Sequence, residues 1–171
     1  IIYRLTLLGD ESLYLVESAR NQMLGAPTIG IQITTCHEAS DWGITTEVAE
    51  SLVLRRELEV GAESMKELHR RGVKVLPGGD YGFAWNPIGT NARDLEHFVN
   101  YLNFSPMEAI VAATKYGGQI MMMGDELGLI KEGYLADLLI VDGDPLQDVS
   151  SLQASSRLLG TMKDGNFHKR P

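Results

Sequence analysis

The sequence predicts an α/β fold built on a parallel sheet, and three observations carry that expectation. The first is a stretch in which an amphipathic helix, a glycine and a short apolar strand follow one another. Leu54, Leu58, Gly61, Met65 and Leu68 recur at helical spacing, Lys66, Arg70 and Arg71 sit near the helix end, Gly72 offers a left-handed stop, and VKVLP comes next. The second is a similar order upstream: IIYRLTLL reads as a strand, residues 10–23 as a helix carrying Leu13 and Val16, and TIGIQITT (28–35), rich in β-branched residues, as a further strand. The third is the long loop GGDYGFAWNPIGTN that follows Pro77. Glycine-rich loops of such length inside a compact domain are usually functional or disordered.

The remaining elements are predicted from local chemistry. Thr46 is the expected cap of the long helix, with Glu47 and Glu50 in its first turn. A helix should begin near Asn91, with Asp94 early in it. Ser105-Pro106-Met107-Glu108 is a capping box with proline at the first helical position. Beyond Gly124 the pattern turns to short strands: GLI and LLIV around a turn, then DPLQ as a short helix capped by Asp144, then RLLGTM and NFHK as a hairpin about KDG.

Composition narrows the function classes. With 171 residues the chain is long enough for a real core, and 15 basic against 23 acidic residues give a net charge of -8. That balance argues against nucleic acid and against an anionic membrane surface as partners. No apolar run approaches the roughly 20 residues of a membrane helix. The start of the chain does not look like a signal peptide, and the single Cys36 permits no internal disulfide, so a cytoplasmic setting is expected.

Three stretches together resemble the metal-dependent amidohydrolases, in the branch similar to imidazolonepropionase and the metal-dependent prolidases. GVKVLPGGD (72–80) resembles that family's eighth barrel strand, which ends in an aspartate; SPMEAIVAATKYGGQIM (105–121) is similar to the helix pair after it; GLIKEGYLADLLIVDGDPL (128–146) is similar to the chain's return into a small β-sandwich. The resemblance implies the C-terminal part of a TIM-type (β/α)8 barrel over residues 1–125, and sandwich strands with a C-terminal hairpin over 126–171. It implies that Asp80 is both metal ligand and catalytic acid–base, that the complete enzyme holds zinc or a similar divalent ion, and that a metal-activated water attacks a C–N bond of a small amide or dipeptide.

The departures from that pattern are specific. His37, His69, His97 and His168 include no close pair, Arg4 stands where a metal ligand is expected, and PGGD replaces the more usual G-T-D or G-S-D. A full barrel takes about 250 residues, so these residues are expected to be a piece of a longer enzyme, without a complete metal site and prone to homo-oligomerise. The alternative is a non-catalytic scaffold that packs against another chain.

Each candidate residue also has a plainer reading. Asp80 could be a turn residue. His37, placed at the end of the expected strand, is either a substrate contact at the same mouth or a solvated loop residue. Tyr81 and Trp85, with Phe83, either line a substrate pocket or pin the glycine-rich loop. His69 is expected on the surface, His97 off the apolar stripe of its helix, Met121 to Met123 in the core, and Asp137 in structural hydrogen bonds; Cys36 has no base placed near it.

Overall fold

The computed structural model describes residues 2–3 and 8–171. Arg4 therefore lies outside the described residues, as does most of the expected first strand. Within them a parallel sheet forms from β1 (Ile2–Tyr3), β2 (Leu24–Ala26) and β3 (Lys74–Val75), in the order β1-β2-β3. Gly25 pairs with Ile2 on one side and with Val75 on the other, parallel in both cases. Helices α1 (Asp10–Ser18), α2 (Ile29–His37), α3 (Thr46–Ser51), α4 (Leu54–Arg70), α5 (Arg93–Leu102), α6 (Pro106–Ala113) and α7 (Lys115–Ile120) pack around it. A second, antiparallel sheet joins β4 (Leu138–Val141), β5 (Leu158–Lys163) and β6 (Asn166–Lys169) in sequence order.

The core sits between the first sheet and the helices. Ile29 and Ile33 from α2, Leu58, Met65 and Leu68 from α4, Val73 and Val75 around β3, and Phe98 and Leu102 from α5 are all buried in one cluster. The α4 stripe is the one its spacing predicts. Gly72 ends that helix region at φ 77°, a conformation glycine adopts without steric cost. Among the described residues no helix is long and apolar enough to cross a membrane.

Four sequence expectations need correction. Residues 29–37 are a helix, and the strand is the short Leu24–Ala26 before Pro27. Ile29, Ile33 and Cys36 are buried at helical spacing, and the Thr34 hydroxyl donates to the Gly30 carbonyl at 3.0 Å. That bond satisfies a polar group in the core and makes a β-branched residue tolerable in the helix. The long helix is broken in two: Thr45, not Thr46, caps α3, and Val53 at φ 61° separates α3 from α4. Residues 128–130 form no strand; Gly128 turns at φ 87° against the Thr114 carbonyl. DPLQ is a turn in which Asp144 accepts from the Leu146 N–H, and the short 3-10 helix comes after it, at Val149–Gln153, capped by Asp148.

Three side-chain placements also differ. Met121 and Met122 are exposed, because α7 ends at Ile120 and Met122 occupies a left-handed turn at φ 60°. His97 is buried against Tyr101. His69 is half-buried, stacked 3.8 Å from the Phe104 ring and 3.3 Å from the Glu108 carboxylate.

Other local signals hold. The capping box forms reciprocally: Glu108 N–H donates to Ser105 Oγ, and Ser105 N–H donates to Glu108 Oε2 at 2.8 Å. Ser105→Ala should cost about 1 kcal/mol in urea denaturation; an unchanged midpoint would mean that this cap adds nothing. At the β5–β6 hairpin Asp164 and Gly165 take φ 48° and 74°. Asp137 secures that turn, accepting from Asp164 N–H at 2.7 Å and pairing with Lys163, which is the structural bonding expected of it.

Candidate active site

Chain from β3 runs through Leu76 and Pro77 into Gly78-Gly79-Asp80, at the C-terminal end of a parallel strand. In barrels of parallel strands that end carries the chemistry. Asp80 is half-buried and takes φ 55°. Aspartate enters the left-handed region more readily than most residues, and Val53, Asn103, Met122 and Asp164 share it here, so the packing around the turn carries the argument.

The surroundings do hold it. Ile31 N–H donates to the Gly79 carbonyl at 2.9 Å. Asn86, almost wholly buried, donates its side-chain amide to the Gly79 carbonyl at 2.9 Å and to the Asp80 carbonyl at 3.1 Å. From the other side the Asp94 carboxylate accepts from the Tyr81 hydroxyl at 2.8 Å, with the Gly78 and Gly79 N–H groups near enough to favour its charged form. Gly30 at the start of α2 packs so closely that its missing Cβ would stand 3.0 Å from Gly79 Cα and 2.6 Å from Asp94 Oδ1. The turn is thus clamped by three segments of chain: α2, the loop at Asn86 and α5.

Asp94 is the residue that sequence reasoning missed. It is only 2% exposed. Burial pushes its carboxyl up from 3.8 to about 6, against the Tyr81 hydroxyl and the two glycine N–H groups, which favour the charged form. Desolvation therefore outweighs three hydrogen bonds. Because the folded value is raised, the stability this group contributes is full below about pH 4 and is lost as pH rises through about 6. In Asp94→Asn that loss, on the order of 2–3 kcal/mol, should vanish from the pH dependence. Urea midpoints of both proteins between pH 4 and 7 measure it; parallel slopes would refute the assignment.

The other sequence candidates separate. Tyr81 lies beside Asp80, but its hydroxyl is committed to Asp94, and burial beside that carboxylate raises its pKa. Trp85 donates its indole N–H to Thr35 Oγ1 at 2.9 Å and forms an aromatic row with Phe83 and Trp42, at centroid separations of 5.4 and 6.0 Å. Both residues pin the glycine-rich loop. His37 does not sit at a strand end facing the mouth. It closes α2 at the end remote from Gly30, seven residues and about 10 Å of helix away, and lines a separate cleft with Arg55 and Tyr101. Cys36 is buried, and burial raises its thiol pKa, the reverse of what a nucleophile needs.

A catalytic zinc normally takes three protein ligands. Among the described residues no three His, Cys, Asp or Glu side chains come together in that way.

A parallel β/α arrangement with a carboxylate-bearing turn at the strand end, beside a small antiparallel sheet, is part of the (β/α)8-barrel architecture of the amidohydrolase type. The amidohydrolase family profile matches residues 9–167, and the chain belongs to that family. Ochratoxinase from Aspergillus niger is 30% identical over 107 residues, 60% of this chain and 21% of that protein. The crystal structure of an amidohydrolase superposes with a TM-score of 0.79 at 27% identity, covering 99% of this chain and 40% of the other. A Xaa-Pro dipeptidase with methionine bound in its active site gives 0.77 at 26% identity, covering 98% and 39%. The A. niger ochratoxinase structure gives 0.78 at 23%, covering 99% and 36%, and at that identity shares the fold alone. The chain thus spans between 21% and 40% of the length of these relatives.

Proposed function

We propose that the natural protein hydrolyses the C–N bond of a small amide or dipeptide, with Asp80 as its general base and then its general acid. The observation that carries this reading is the clamped left-handed Asp80 at the end of β3. A carboxylate fixed there can take a proton from the attacking water and return it to the leaving nitrogen. The Asn86 and Asp94 contacts hold the backbone that carries it.

A divalent ion, zinc or one like it, would acidify the attacking water, and Asp80 is the residue of this chain that would touch it. Its remaining ligands would come from outside the described residues. Trp85, with the half-exposed Trp42 and Phe83, would present an apolar wall to the substrate; Tyr81 would border it while holding Asp94. The division into a barrel part up to residue 125 and a sandwich segment beyond it belongs to the same reading, as do a cytoplasmic location and self-association.

The test is an assay of the natural protein against Xaa-Pro dipeptides and N-acylated amino acids, before and after treatment with a chelator. Hydrolysis that chelation abolishes and zinc restores is expected. Full activity after chelation would remove the metal from the proposal. No hydrolysis of any substrate in the panel would favour the scaffold reading.

A further inference from the structure

The cleft that holds His37 lies apart from the Asp80 turn. It measures about 300 Å3 and forms where the end of α2, the first turns of α4 and the last turn of α5 meet; His37, Arg55, Leu58, Glu59, Ala62 and Tyr101 line it. Arg55 Nε is buried and meets no acceptor among the described residues. That Nε is closed to solvent, so a ligand in the cleft would meet the rest of the guanidinium, which lines the cleft and has no ion pair among the described residues. Glu59 stands one helical turn further along α4, and among the described residues no ion pair joins it to Arg55. One turn beyond Glu59 on the same helix, Glu63 already pairs with Lys66, at 2.7 Å.

The cleft therefore presents one uncommitted cation and one uncommitted anion, with apolar wall from Leu58, Ala62 and the Tyr101 ring. A simple anion such as phosphate would satisfy Arg55 but meet repulsion from Glu59. A simple amine would do the reverse. A zwitterion satisfies both, and the planar guanidinium fork matches a carboxylate. We propose that this cleft binds a free α-amino acid with an aliphatic side chain, its carboxylate on Arg55, its ammonium toward Glu59 and its side chain against Leu58 and Ala62. The proposal does not depend on the hydrolytic reading of Asp80.

Calorimetric titration of the natural protein with L-leucine tests it. The comparison ligands are 4-methylpentanoate, which lacks the ammonium, and 3-methylbutylamine, which lacks the carboxylate. Leucine is expected to bind with Kd below about 1 mM. Each analogue, and leucine on Arg55→Gln or Glu59→Gln, should bind at least about tenfold more weakly. Both variants should remain folded, Glu59→Gln near the natural Tm and Arg55→Gln at or above it, since the arginine's buried Nε has no acceptor among the described residues. Absence of saturable heat with leucine, equal affinity for either analogue, or unchanged affinity in both variants would overturn the proposal. The last result would place leucine elsewhere, the Asp80 turn included.

Discussion

Gly79→Ala is expected to destabilise the protein by about 3–5 kcal/mol, a large share of the 5–15 kcal/mol typical of a domain. A Cβ at this position would stand 2.6 Å from Tyr81 Cε2, 2.8 Å from Tyr81 Cζ and 2.7 Å from Asp94 Oδ1. Neither neighbour has room to yield. The Tyr81 hydroxyl is bound to Asp94, and Asp94 Oδ1 is also only 2.6 Å from where a Cβ on Gly30 would fall. The new methyl must either push the tyrosine off its carboxylate or lift the glycine turn off α2. Either movement leaves a buried polar group without its partner. Gly9→Ala is the control, because nothing stands within 4 Å of a Cβ there; it should change stability by less than about 0.5 kcal/mol. Urea denaturation of the two variants separates the outcomes, and equal midpoints would show that the clamp is not tight.

What was legible in the sequence was local. Ser105 and Glu108 cap each other across three residues, Gly72 ends the α4 region, and Asp164-Gly165 turns the hairpin, each from a signal contained within one turn of chain. The α4 stripe was legible because one face of one helix carries it. The stretch from Ile29 to His37 was misread because the β-branched content of TIGIQITT suggests a strand. Burial follows the helical spacing of Ile29, Ile33 and Cys36 instead, and the Thr34 side chain finds its partner within the helix. The error put His37 at the barrel mouth, whereas as the last residue of α2 it lies a helix length away from Gly30 and the Asp80 turn.

Asp80 was singled out because GVKVLPGGD resembles the family's eighth barrel strand; the two glycines and the strand alone would equally suit a turn residue. Asp94 was not, because an aspartate in the first turn of a helix ordinarily answers the helix dipole. Its partners here lie at Gly78, Gly79 and Tyr81, on another element. The signal that could have found it was its place in the helix directly after the glycine-rich loop, where a carboxylate can reach back to backbone N–H groups.

The central claim, that Asp80 moves the proton in C–N hydrolysis, is tested most directly by Asp80→Asn in the natural protein, assayed on a substrate the panel identifies. Asparagine suits the measurement because it tolerates the left-handed φ of 55° as well as aspartate does, so the turn and its clamp should persist. It keeps the shape of the side chain and removes its ability to accept and return a proton. The account predicts that kcat/KM falls by about 10²–10⁴-fold. It also predicts that Tm stays near the natural value, and that the limb of the pH–rate profile which reports deprotonation of the base disappears. An Asp80→Asn protein that keeps more than about a tenth of the natural kcat/KM, with the pH profile intact, would contradict the account and leave Asp80 as a turn residue.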